Sequence, residues 1–463
     1  MKRNLLKIML TSTLAATMCA SLVACGSSGS SGTTGATAAN QSGSATSTSN
    51  SEQVNANSDG TVNNPEAVQI KSGDLSFWSL FTGGDGEWWQ KIVSDYNNTS
   101  PTYPVQCVTL VWADYYTKLQ TAVAAGKGPD MGISHVSKLY ELASTGVIEP
   151  LDDYLKDNDI DLTKYYSQKN IDAVTIDDHI YAIPLDTHAE VMYYNTDLIS
   201  QAGITEDDIA NIKSIDDFKD MLKKCKDTLG SDYTPLCLSN SGDDPFRVWY
   251  ALYYQMGGAP FVNDDATKCT LDKDKAEAAM KALKDLYDEG YIQKGINSDD
   301  NAVPFQSGKA AFLFGGTWLT GTLESTKGLN FNNACFPQLY DTQTCWADSH
   351  TLILPVKKSR TKEETDDAVK FMFYASDKGG ITWAESGQIP ASSTANQSDK
   401  YKNMKGYNVI KELDNAQFAP KASHYYNGIK TDLQSALDGY WTGQVDLDTA
   451  YENLETAVKN NLD

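Results

Sequence analysis

Arginine is nearly missing from this chain. Of its 463 residues only Arg3, Arg247 and Arg360 are arginines. A site that clamps phosphate or carboxylate groups with several guanidinium forks is thereby excluded, and a neutral or cationic ligand is favoured. Positive charge is scarce as a whole: 38 Lys and Arg face 61 Asp and Glu, a formal charge of −23. Such an acidic surface repels nucleic acid and anionic lipid, so neither is expected as a partner. There are eight cysteines but no CxxC pair, which disfavours zinc-ribbon and thioredoxin-like chemistry. Gly-x-Ser-x-Gly, His-Glu-x-x-His and the phosphate-binding loop are all absent, and no internal repeat is visible.

What is present begins with an export address. Lys2, Arg3 and Lys7 precede an apolar stretch that ends in Leu22-Val23-Ala24-Cys25. A basic end, a short apolar segment and a small residue at the cut predict a secretory signal over 1–24 rather than a membrane span. Cys25 at the cut resembles the lipobox of bacterial lipoproteins. The resemblance implies lipidation of Cys25 and a mature protein anchored outside the cytoplasm on the cell membrane. From Cys25 to about residue 68 the chain is dominated by Gly, Ser, Thr, Ala, Asn and Gln. Such a segment buries too little apolar surface to order itself, so a flexible tether is expected, roughly 35 to 40 Å from end to end.

The remaining residues suit two lobes. Strand and helix signals alternate, the pattern of an α/β fold with mostly parallel sheets. A strand over Asp74 to Leu80 runs into the turn Thr82-Gly83-Gly84-Asp85-Gly86 and a helix through Trp88, Trp89, Ile92 and Tyr96. Val105 to Trp112 and Met131 to Ser134 read as further strands. Ile171 to Ile176 and Ile180 to Leu185 read as a hairpin, and Glu190 to Tyr194 as a strand. Asp244-Pro245 has the form of an N-cap with proline at the first helical position. Phe246, Trp249, Tyr250 and Tyr253 follow it at helical spacing. Loops at the carboxyl ends of such strands are where open α/β folds bind ligands. Six cysteines lie beyond Cys25, in a compartment that permits disulfides; Cys335 with Cys345 and Cys225 with Cys237 are the nearest pairs, and free thiols are the alternative.

Several segments together resemble the solute-binding lipoproteins of carbohydrate ABC transporters, the maltose-binding-protein-like family 1 of extracellular solute-binding proteins. They are Ala124 to Asp130 (AAGKGPD), Leu142 to Leu151 (LASTGVIEPL), Tyr181-Ala182-Ile183-Pro184, Tyr193-Tyr194-Asn195, Phe305 to Phe312, Gly316 to Trp318 and Gln388 to Ala391. The resemblance implies a type II periplasmic-binding-protein clamshell: two discontinuous α/β lobes joined by three crossings. Lobe 1 would hold 69–186 and 340–388, lobe 2 187–339 and 389–463. It further implies a monomer that binds a carbohydrate, without cofactor or catalysis, and hands it to membrane permease subunits.

A sugar site needs aromatic rings for the apolar faces of the pyranose and carboxylates, amides or neutral imidazoles for its hydroxyls. On the first lobe Asp85, Trp112 and His135 follow strands. At the crossing His188 stands where the family often carries an acidic ligand, which leaves the role open between His188, Asp186 and Glu190. The second lobe offers Asp244, Trp249 and above all Trp318, at the family's Gly-Gly-x-Trp position. Trp346, His350 and Gln388 lie near the later crossings.

Two other classes fit parts of the chain. A glycoside hydrolase needs only two suitably spaced carboxylates. Capture of a metal or a polyol is the second alternative, because His135, His188, His350 and His424 all fall in candidate cleft loops. Their spacing matches no zinc motif, so no metal is assigned. Asp157 to Asp161 lacks the glycine and terminal glutamate of a calcium loop, and no calcium is expected there.

Overall fold

The computed structural model describes Asn57 and residues 60–463 except position 299. The expected signal over 1–24, Cys25 and most of the tether lie outside the described residues. Among the described residues no helix is long and apolar enough to cross a membrane.

Two sheets organise residues 60–463. The first has five strands in the order Val105–Thr109, Leu75–Ser79, Met131–His135, His350–Ile353, Ala182–Pro184. Its first three are parallel and the last two antiparallel to their neighbours. All five residues of Leu75–Ser79 and of Met131–His135 are buried, because helices cover both faces of a parallel sheet. The second sheet is threaded by the ten-residue strand Asp186–Asn195, buried along its whole length. Its early residues pair with Cys345–Asp348 and Ile389–Pro390, and its later ones with Ala310–Gly316 and Phe331–Cys335. Separate apolar cores surround the two sheets. One joins Phe77, Trp89, Ile133 and Phe371; a second joins Phe218, Trp249, Phe312 and Leu437; a third, with Val191, Tyr193 and Leu313, also packs on the second sheet.

The strand before the Gly-rich turn, the helix Gly86–Asn97 after it and the strand Met131–His135 follow the sequence reading closely. The hairpin does not. Gln168–Val174 is helical, capped by Ser167, and only Thr175–Ile176 and His179–Ile180 pair as strands. The Ser167 hydroxyl satisfying the Asn170 amide outweighs the β-branched preference of Ile171 and Val174.

The assignment of 340–348 to the first lobe also changes. Cys345–Asp348 pairs with Ala189 and His188 in the second sheet, and Cys345, Trp346 and Ala347 belong to the second core. Sheet membership switches at Ser349, since His350 already pairs with His135 of the first sheet. The six cysteines Cys107, Cys225, Cys237, Cys269, Cys335 and Cys345 are all free thiols, so neither expected pair is bonded.

Candidate ligand-binding cleft

A cavity of about 410 Å³ opens where the two sheets meet. The first sheet contributes the loop Leu80 to Asp85, then Trp112 and His135. His188, Trp346, Asp348 and His350 come from the crossing strands. The second side adds Asp243, Asp244, Arg247, Ser298, Trp318, Leu319, Thr322, Tyr426 and Lys430. The two sides nearly touch at one rim, where a methyl group on Gly84 would stand 3.2 Å from the Thr322 hydroxyl.

Eight expected residues line this space: Asp85, Trp112, His135, Asp244, His188, Trp318, Trp346 and His350. Trp318 is held there by the glycine before it. A Cβ on Gly316 would lie 1.9 Å from the Trp318 ring, so the Gly-Gly-x-Trp spacing is a packing requirement as well as a motif. Trp112 is 43 % exposed, an indole available to a ligand. Trp318 and Trp346 meet edge to face at 6.3 Å.

Four expected residues do not reach the cavity. Trp249 is fully buried, stacked with Tyr253 and Phe261, and its indole N–H donates to the Ala276 carbonyl. Gln388 is buried and accepts a hydrogen bond from the Thr317 hydroxyl. Glu190 is buried with neither carboxylate oxygen hydrogen-bonded, and burial pushes it up to about 8. Asp186 lies beneath the cavity floor as a hub. It accepts from His188 Nδ1 at 3.1 Å, His350 Nδ1 at 2.7 Å, Trp383 Nε1 at 2.8 Å and the His350 amide at 2.9 Å. Burial alone would raise its pKa; His350 and these hydrogen bonds more than reverse that and hold the carboxylate ionised.

Asp244 is not a helix cap. The helix Asp243–Gln255 begins one residue earlier, after Gly242 at φ 82°. The Asp244 carboxylate instead accepts from Ser239, Ser298 and Arg247. Burial raises its pKa. Arg247 is the feature the sequence reading missed. Its guanidinium lies 4.8 Å from the ring centroids of both Trp318 and Trp346, and bridges Asp243 and Asp244. The signal was there as Asp-Asp-x-x-Arg, which sets both carboxylates three and four residues before the arginine on one helix face. Asp243 is further paired with Lys430 at 2.8 Å. Burial works against its charge, yet Lys430 and Arg247 hold its carboxyl well below the usual range. Asp348, Tyr426 and Lys430 were not anticipated either, because the strand and helices that carry them show no motif. The other described arginine, Arg360, is structural: it binds Glu149 and the carbonyls of Asp130 and Pro355.

The cavity thus presents three indoles and a phenol, with its cations already committed to carboxylates. Among its acids Asp85 stands out. Its Oδ1 is buried without a hydrogen-bond partner, and burial raises its pKa. His135 and His188 are kept neutral, first by burial and then by their neighbours. For His350 burial acts downward but Asp186 outweighs it, and the net shift is upward. His424 is exposed and stands apart from the cavity.

The profile of bacterial extracellular solute-binding proteins matches residues 91–408. The maltodextrin-binding protein MdxE of Bacillus subtilis is 24 % identical over 351 residues, covering 73 % of this chain and 78 % of that one. Among solved structures the GacH receptor of Streptomyces glaucescens, studied unliganded and with acarbose, superposes with a TM-score of 0.73 at 19 % identity. It covers 84 % of this chain and 98 % of its own. UgpB of Mycobacterium tuberculosis, bound to glycerophosphocholine, gives 0.73 at 17 % identity with the same coverage. The fold they share is the two-lobed type II clamshell.

Proposed function

We propose that this chain, which belongs to the family of bacterial extracellular solute-binding proteins, captures an oligosaccharide between its lobes and delivers it to an ABC importer. The observation that carries this reading is the indole lining of the interlobe cavity, with Trp112, Trp318 and Trp346 set among hydrogen-bonding side chains. Flat rings stack on the apolar faces of sugars, and uncommitted polar groups such as Asp85 and neutral imidazoles pair with hydroxyls. Arg247 and Lys430 are already neutralised by Asp243 and Asp244, which favours an uncharged guest over an anionic one. The ligand set is Asp85, Trp112, Trp318, Trp346, Asp348 and Tyr426, with Arg247 as the platform that orients two of the rings.

The lobes divide at the three crossings near Leu185, Ser349 and Gln388, and closure about them traps the ligand. No catalytic step is proposed: Asp186, Asp243, Asp244 and Asp348 are spent on imidazoles, Lys430, Arg247 and serines, and Asp85 is left to a ligand hydroxyl. A lipid on Cys25 and the tether after it hold the monomer outside the cytoplasm beside its permease, in keeping with an export signal over 1–24. Isothermal titration over a panel of mono- and oligosaccharides tests the reading. One saccharide should bind with a stoichiometry near one and release no reducing ends. A panel in which none binds would refute it.

A further inference from the structure

The floor of the cleft gathers three imidazoles from three separate strands. His135 ends one strand of the first sheet, His350 pairs directly against it, and His188 lies on the long strand of the second sheet. Each offers a nitrogen within 4.8 Å of the other two, and all three side chains are buried. The rings are close in every combination: centroids are 4.2 Å apart for His188 and His350, 4.9 Å for His135 and His350, and 5.5 Å for His135 and His188.

The opposite nitrogens are occupied. Nδ1 of His188 and Nδ1 of His350 both face Asp186, and Nδ1 of His135 lies 2.6 Å from the Tyr116 hydroxyl. The free nitrogen of each ring is therefore Nε2. Carboxylate and hydroxyl partners on the far side of imidazoles are how proteins fix the tautomer and orientation of metal-binding histidines. Hydrogen bonding to a sugar does not require three buried imidazoles to gather. A cation does.

We propose that His135, His188 and His350 bind one first-row divalent transition metal, of the zinc, cobalt or nickel class, through their Nε2 atoms at the base of the cleft. Bonds of about 2.0 to 2.1 Å in a tetrahedral shell place ligand nitrogens about 3.3 Å apart, so a small inward turn of the rings completes the site. Imidazole donors select this class over magnesium or calcium, which prefer oxygen. The fourth position faces the cavity, where the buried and unpartnered Oδ1 of Asp85 lines the same space. Asp186 beneath and Asp348 alongside offset the cation's charge, against Lys430 and Arg247 on the opposite wall. Phe81 packs edge to face on His350 at 5.0 Å and shields that side from water.

Titrating the metal-stripped full chain with Co²⁺ alone tests the site. One equivalent should bind and give the visible absorption bands of a four-coordinate nitrogen and oxygen shell. His135→Ala and His188→Ala should each weaken binding by at least about 100-fold, beyond what loss of an outer-sphere partner gives. His424→Ala should bind as the parent does. Unchanged circular dichroism in the two cleft variants separates loss of a ligand from loss of the fold; should either unfold, the milder His135→Gln takes its place and should show the same loss. Absence of Co²⁺ binding, binding equal in parent and cleft variants, or a thiolate charge-transfer band would overturn the proposal. Each of these outcomes is independent of whether a sugar binds.

Discussion

Arg247 concentrates the chemistry of the site in a single side chain. A guanidinium is planar and weakly hydrated, so it can sit between two indoles and still bridge two carboxylates. That arrangement presents Trp318 and Trp346 at a fixed angle. Replacing Trp318 by Ala removes both a stacking face and one side of the sandwich. Saccharide binding should weaken by ~1 to 3 kcal/mol, read by titration calorimetry. Affinity equal to the parent's would place the ring outside the site. Trp318 was legible through its resemblance to the family's Gly-Gly-x-Trp position, and the structure adds that Gly316 leaves room for its ring. Trp249 was not, because a helix carrying aromatics at three- and four-residue spacing looks the same whether its stripe faces a core or a cleft. Only the packing of Tyr253 and Phe261 on Trp249 decides it.

Some elements are fixed by a local device. Ser214 accepts from the Asp217 amide and starts the helix Ile215–Leu229. Thr361 and Glu364 form a reciprocal cap on the helix Lys362–Ser376. Short strands set only by distant pairing were harder, as with Cys345–Asp348, whose sheet depends on contact with residues more than 150 positions earlier. The same region contains a buried acid that ties elements together. Glu412, in the helical turn Glu412–Asn415, accepts from the Phe336 amide just past Phe331–Cys335, and from Asn415. Burial raises its pKa from 4.5 to about 7. The folded state thus holds a proton that the unfolded chain releases, and stability falls as pH rises from about 4.5 to about 7. The loss should amount to ~3 kcal/mol relative to Glu412→Gln, which carries no titrating group. Urea unfolding of both proteins across this window checks it, and parallel pH slopes would contradict it.

At the scale of the whole molecule, the site exists only because the chain crosses between sheets three times. His188, Asp348 and His350 lie at the crossings themselves, so moving the lobes changes the ligand shell directly. The two-lobed α/β architecture was readable from alternating strand and helix signals and from the order of the family segments. The cavity's composition was readable only in part. Its aromatic members follow glycine-rich or strand-terminal positions, whereas Tyr426 and Lys430 arrive from a helix far along the chain. Across the rim a methyl group on Gly84 would stand 3.2 Å from the Thr322 hydroxyl, so the two sides lie close together there. Small-angle X-ray scattering of the protein without and with a saturating saccharide tests the central claim most directly. The loaded protein should be the more compact; an identical profile in the two states, with calorimetry proving the sugar bound, would contradict capture by closure.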